Sequence, residues 1–113
     1  MHEVGIMQNT LDLALQQAKA SGAARIHALR MRVGVMTGVV PEALSFAFEV
    51  LRQGTIASEA RLEVESVPLT CWCARCQAEF SCEDFISQCP QCRQMSAEMR
   101  KGRELELVSL EIS

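Results

Sequence analysis

Apolar residues recur along the first twenty positions at intervals of three and four: Val4, Met7, Leu11, Leu15 and Ala18. That spacing lines one face of a helix, and it predicts a helix from Val4 to about Ala20, ended by Gly22. The period then changes. Within Arg25–Val35, the residues Leu29, Met31, Val33 and Val35 fall at every second position, which is the pattern of a strand with one buried face. Ile26 and Ala28 are out of phase with them, so a bulge is expected near Ala28. Gly38 breaks the run, and Pro41 with Glu42 suits the first turn of a second helix. Its apolar stripe is Leu44, Ala47, Phe48 and Leu51, with Gly54 beyond its end.

Leu62, Val64 and Val67 mark a second strand, closed by Pro68. After a long segment without such a period, Glu104-Leu105-Glu106-Leu107 alternates again, and Leu110 and Ile112 continue in the opposite phase. This is a third strand with a kink near Val108. A lone strand has no partner for its backbone, so it must return to the sheet of the first 69 residues. The expected fold is therefore α/β: a small domain of two helices on a three-stranded sheet, built from residues 1–69 plus 102–113. Residues 70–101 form an inserted module. About 80 residues make a marginal core, and the module has few apolar residues of its own.

The module holds all six cysteines, between Cys71 and Cys92, and the first 70 residues hold none. A disulfide scaffold spreads its cysteines through the fold it braces, so the clustering points to metal. Cys73-Ala74-Arg75-Cys76 and Cys89-Pro90-Gln91-Cys92 form paired CxxC turns separated by twelve residues. Each turn can present two sulfurs on one side, and two turns close a tetrahedron around zinc. The competing reading, two redox dithiols, is weakened because neither CxxC opens a helix after a strand. A closed four-thiolate zinc ribbon or knuckle leaves no position for water, so its role is structural and no catalytic residue is expected. Cys71 and Cys82 are left over and read as ordinary thiols. Gln77 and Arg93 stand where such turns often carry Gly, which predicts backbone strain at both.

Charge and composition narrow the function. Net charge is −3, there is no Tyr, and there is a single Trp among 113 residues. A nucleic-acid-binding ribbon needs a basic face or stacking aromatics; the charge balance argues against the first, and the second has few candidates. No basic leader precedes an apolar run at the start, and no apolar stretch approaches the roughly 18 residues that span a bilayer. A cytoplasmic chain without membrane insertion is expected.

Of the two histidines, one is residue 2. The amine of Met1, the amide nitrogen of His2 and its imidazole can close two fused rings around one metal, with a group from Glu3 in a fourth position. Nitrogen donors in a plane suit Ni(II) or Cu(II). An incidental His2 is the plainer alternative. His27, between Ile26 and Ala28, reads as a surface or structural residue.

Met1-His2-Glu3, the run Pro41–Glu49, the paired CxxC motifs and Gly102-Arg103-Glu104-Leu105 stand in one order. Together they resemble the HypA/HybF family of hydrogenase-maturation nickel metallochaperones, over essentially the whole chain. Cys71-Trp72-Cys73 also looks like the enterobacterial-type members. The resemblance implies a carrier, not an enzyme, with nickel on His2 supported by Met1 and Glu3. It implies structural zinc on Cys73, Cys76, Cys89 and Cys92. Its implied partners are a nickel-inserting GTPase and the large subunit of a [NiFe]-hydrogenase; some members also serve urease. A homodimer is compatible with it, and the glycines missing after Cys76 and Cys92 depart from the commoner motif. The rival function is a zinc-stapled protein–protein adaptor with no second metal.

Overall fold

A computed structural model describes residues 2–82, 86–96 and 98–113. The elements run α1 (Glu3–Ala20), β1 (Ile26–Gly34), α2 (Pro41–Leu51), β2 (Arg61–Val67), β3 (Thr70–Cys73), β4 (Ala78–Ser81), β5 (Glu98–Lys101) and β6 (Leu105–Ile112). Two three-stranded sheets result, ordered β2-β1-β6 and β4-β3-β5. β1 is parallel to β2, with α2 as the crossover, and antiparallel to β6. The expected α/β class, the two helices on a three-stranded sheet and the return of the last strand to that sheet are all present. None of the helices among the described residues is long and apolar enough to cross a membrane.

The helices form where the spacing predicts, but α1 sits slightly rotated from its expected stripe. Met7, Leu11, Ala14 and Ala18 are buried, whereas Val4 is 59 % exposed and Leu15 only packs at the core's edge. Steps of four, three and four keep one line of residues facing the sheet, and small Ala14 lies on that line while larger Leu15 does not. In α2 the buried residues are Leu44, Ala47 and Phe48, with Leu51 partly covered. They meet Leu29, Met31 and Val33 of β1, flanked by Leu62 and Val64 of β2 and by Leu107, Leu110 and Ile112 of β6.

Both expected irregularities are real. Ile26 pairs with Ile112 and Ala28 with Glu111, so His27 is the extra residue of a bulge in β1. Arg30 pairs with Ser109 and Met31 with Leu107, which leaves Val108 as the extra residue in β6. An added residue shifts the alternation by one, and so Leu107 and Leu110 can point to the same core. Ala28 lies on the opposite face, yet it is buried. Its two register partners explain this: Arg61 and Glu111 pair at 2.9 Å across it.

One expectation fails at the end of β1. Val35 was expected to extend the strand's apolar face, but the chain leaves the sheet after Gly34 and Val35 is exposed in a short 3-10 turn. The Gly34 N–H donates to the Glu104 carbonyl at 2.7 Å, and the Met36 N–H donates to the Gly102 carbonyl at 2.8 Å. The Thr37 hydroxyl then donates back to the Gly34 carbonyl at 2.8 Å. The second sheet was not expected at all. Its central strand β3 follows β2 after only Pro68 and Leu69, and β5 leads into β6 through Gly102.

A Cβ at Gly34 would collide with the carbonyl carbon and oxygen of Gly102. Gly34→Ala is therefore expected to cost stability at the upper end of the ~1–3 kcal/mol usual for overpacking. Gly5→Ala, with open space around it in α1, should instead gain up to about 1 kcal/mol. Urea unfolding midpoints compare the two, and a Gly34→Ala midpoint equal to that of the parent chain would contradict the close crossing.

Candidate metal centres

The first CxxC turn joins β3 to β4. Cys73 ends β3 opposite Ala78, and Cys76 sits in the turn between them. Its N–H donates to Cys73 Sγ at 3.4 Å, which turns the sulfur inward. To close so tight a turn the chain must take positive φ, and Gln77 does so at φ 53. The Gln77 side chain donates to the Ala74 carbonyl at 2.6 Å, which helps to hold it there. The second turn repeats the device. The Arg93 N–H donates to the Cys89 carbonyl at 2.8 Å, and Arg93 has φ 63. Both positions of expected strain are thus occupied by left-handed non-glycine residues. The Ser96 hydroxyl donates to the Trp72 carbonyl at 2.6 Å and ties this loop to β3. The Arg100 guanidinium of β5 covers the Trp72 ring of β3 at 4.5 Å, a cation–π contact between paired strands.

These turns bring four sulfurs together. Cys73 and Cys92 are 3.5 Å apart, Cys76 and Cys89 3.9 Å, and all four sulfurs lie within 4.8 Å of one another. Bonds of about 2.3 Å to a tetrahedral zinc put sulfurs about 3.8 Å apart, so the donor set and its spacing fit such an ion. The neighbouring thiols of Cys92 and Cys73 push the Cys76 thiol up to about 12. Backbone N–H groups of Cys92 and Gln91 draw Cys89 down to about 6. One thiolate is favoured and further ionisation is opposed, a conflict that a dication removes. Among the described residues, Leu69, Phe80 and Met99 are the apolar side chains packed with the cysteines.

His2 is the N-cap of α1, extended at φ −95 and ψ 113, and exposed. Its carbonyl accepts the Ile6 N–H at 3.1 Å, which leaves the imidazole uncommitted to the helix. Met1 lies outside the described residues. Glu3 has a role that sequence reasoning missed: the Val40 N–H, at the N-cap of α2, donates to Glu3 Oε2 at 3.0 Å. A carboxylate there also meets the positive end of the helix dipole. Only the pairing of α1 with α2 creates this contact, so no local sequence signal announces it. His27 is exposed, with Nε2 2.7 Å from the Ser113 hydroxyl, in keeping with a surface role.

Cys71 and Cys82 are brought together as well, with sulfurs 2.8 Å apart. Burial, and secondarily Cys71, raises the Cys82 thiol to about 11. Two leftover cysteines eleven residues apart carry no pairing signal until the β3–β4 register is known.

Four sulfurs gathered beside a small second sheet, with an exposed histidine at the head of α1, are the features of the class of proteins that handle metal ions. The family model described as "Hydrogenase/urease nickel incorporation, metallochaperone, hypA" matches residues 1–112. The chain belongs to this HypA family of nickel metallochaperones for hydrogenase maturation. It is 47 % identical over 112 residues to the hydrogenase maturation factor HypA of Picosynechococcus sp., covering 99 % of each chain. It is 33 % identical over 112 residues to that of Rhizobium leguminosarum bv. viciae, again covering 99 % of each. The solution structure of the Ni metallochaperone HypA from Helicobacter pylori matches 99 % of this chain and 97 % of its own, with TM-score 0.68 and 23 % identity. A second HypA solution structure matches 100 % of this chain and 97 % of its own, with TM-score 0.74 and 23 % identity. These two likenesses establish the shared fold.

The Val40 N–H holds the Glu3 carboxyl below its usual 4.5. Because the folded value is the lower one, the contact stabilises fully above 4.5 and is lost as pH falls through the native value. The Val40 amide proton should accordingly shift in NMR spectra with a midpoint below 4.5. In Glu3→Ala that transition should vanish, and a Val40 signal indifferent to acid in the parent chain would disprove the contact.

Proposed function

We propose that this chain carries Ni(II) at its N-terminus and delivers it for assembly of a [NiFe]-hydrogenase active site, and also to urease where one is served. In this reading Met1, His2 and Glu3 supply the nickel donors: amine, amide and imidazole nitrogens, with a group from Glu3 completing the set. Cys73, Cys76, Cys89 and Cys92 hold a structural zinc ion, which supplies a cross-link where apolar packing is thin. The chain divides accordingly into a nickel-binding domain, residues 1–69 plus 102–113, and a zinc module, residues 70–101. It works in the cytoplasm beside a nickel-inserting GTPase and the hydrogenase large subunit, and it catalyses no reaction of its own.

The observation that carries this reading is the contrast between two donor sets in one chain. Four half-buried or buried sulfurs converge in a closed cage, whereas His2 stands exposed at the head of α1. A closed cage suits a metal that stays. Few, exposed donors suit a cargo handed on by ligand exchange, because an incoming ligand can reach the metal before the outgoing one leaves. With Oε2 of Glu3 engaged by Val40, the backbone nitrogen or the other carboxylate oxygen of Glu3 is the donor left for nickel. Protons compete with metal for imidazole and amine, so acid should release nickel before zinc. Copper(II) should compete well in vitro, as the Irving–Williams order dictates.

Native mass spectrometry of the untagged chain with added nickel tests the proposal, with one zinc and one nickel per chain as the expected result. His2→Ala should lose nickel and keep zinc, and an N-terminal tag should do the same by consuming the amine. Cys76→Ser should lose zinc and unfold residues 70–101 while α1 and α2 persist in circular dichroism. Undiminished nickel uptake by His2→Ala would sink the N-terminal assignment. The rival adaptor reading predicts zinc alone.

A further inference from the structure

Cys71 and Cys82 lie outside the proposed zinc ligands, yet their sulfurs are 2.8 Å apart. The register explains the meeting. Cys71 pairs with Phe80 across β3 and β4, and the Cys82 N–H donates to the Leu69 carbonyl at 3.1 Å. Cys82 therefore continues the ladder two residues beyond Phe80, on the same face as Cys71, in the diagonal position whose side chains can touch. Neither cysteine is disulfide-bonded in this structure.

The separation decides between two uses of a thiol pair. Sulfurs sharing a tetrahedral metal stand about 3.8 Å apart, and the four-thiol cluster shows 3.5 and 3.9 Å. A disulfide bond is about 2.05 Å. At 2.8 Å the pair is too close for a shared metal and needs to move by less than about 1 Å to bond. We propose that Cys71 and Cys82 are a modification site, a dithiol that oxidises reversibly to a disulfide while the four other cysteines keep their metal. The second half of that statement rests on the zinc reading above, and the first half does not.

Hydrogen peroxide is the oxidant class considered. Cys82 is half-buried and Cys71 is buried, so Cys82 is the cysteine the oxidant meets first. Cys82 gives up its thiol proton, its sulfur attacks one peroxide oxygen, the O–O bond breaks, and the departing oxygen takes that proton and leaves as the first water, so that Cys82 becomes a sulfenic acid. Cys71 sulfur then attacks that sulfur, the S–O bond breaks, and the second water leaves with the Cys71 proton. In sum two thiols and one peroxide give one disulfide and two waters, with two electrons passing from sulfur to oxygen. The short separation captures the sulfenic acid before it oxidises further. A dithiol reductant reverses the bond by exchange. The new bond braces the segment Leu69–Cys71, against which Gly102 packs where the chain crosses between the two sheets. It gives the base of the module a link that does not depend on metal.

The test uses the full, zinc-loaded chain, reduced and then treated with one equivalent of hydrogen peroxide. Denaturing mass spectrometry should show a loss of about 2 Da, one disulfide for two thiol hydrogens. Peptide mapping should place it between Cys71 and Cys82, dithiothreitol should reverse it, and a chromogenic chelator should find the zinc still bound. Cys71→Ser and Cys82→Ser should each abolish the 2 Da loss at the same dose. Because Cys71 is buried, the peptide map of the parent chain decides the matter should that variant fail to fold. A cross-link involving Cys73, Cys76, Cys89 or Cys92, or zinc leaving in step with the cross-link, overturns the proposal. A chain that holds no zinc but still forms the Cys71–Cys82 bond overturns the zinc reading and upholds the dithiol.

Discussion

The backbone of Gly102 passes so close to Gly34 that no side chain fits between them, and the rest of the architecture depends on this crossing. β6 is the strand that completes the helix-covered sheet, and it reaches β1 only after the chain has left for the second sheet and come back. The contact is held by backbone hydrogen bonds from Gly34 to Glu104 and from Met36 to Gly102. The Glu104 side chain adds a bond from the Gly102 N–H at 2.8 Å. Gly102 itself has φ 123 and lies against Leu69, so the outgoing and returning chains meet at one point. The larger core is therefore finished only if the ends of the inserted segment are brought side by side.

What holds that segment differs in kind from what holds the domain beneath it. Around β1 the stabilising term is ordinary burial of Met7, Leu11, Leu29, Met31, Leu44 and Phe48. In the second sheet cysteines occupy the place of a core, where covalent or coordinate bonds can do what packing does elsewhere. The proposed zinc site and the proposed Cys71–Cys82 bond are two such substitutes stacked along β3. The proposed nickel donors obey the opposite requirement. His2 stands exposed at the head of α1, beside Glu3, which Val40 engages in joining α1 to α2.

Much of this was legible in advance, and the legible parts share a cause. The period of three and four predicted α1, the alternation predicted β1 and β6, and the phase slips at Ala28 and Val108 predicted bulges that the register confirms. Gln77 and Arg93 were expected to be strained because a tight CxxC turn needs positive φ, and both have it. The parts that were not legible depend on a partner distant in the chain. Val35 leaves its strand because Gly102 intercepts the backbone. Val4 is exposed because the first turn of α1 directs Glu3 and Ile6, not Val4, toward the rest of the domain. β3, β4 and β5 are four residues each, too short for an alternation to stand out.

By itself the sequence determined the helices and long strands, the grouping of four cysteines, and the family to which the whole belongs, because period, turn chemistry and motif spacing are local properties. Tertiary structure alone decided the second sheet, the Gly34–Gly102 crossing, the bond between Glu3 and Val40 and the meeting of Cys71 with Cys82. Each of these needs two segments whose approach is set by the register of other strands, and register is the outcome of burying a core, which no short stretch of chain does alone.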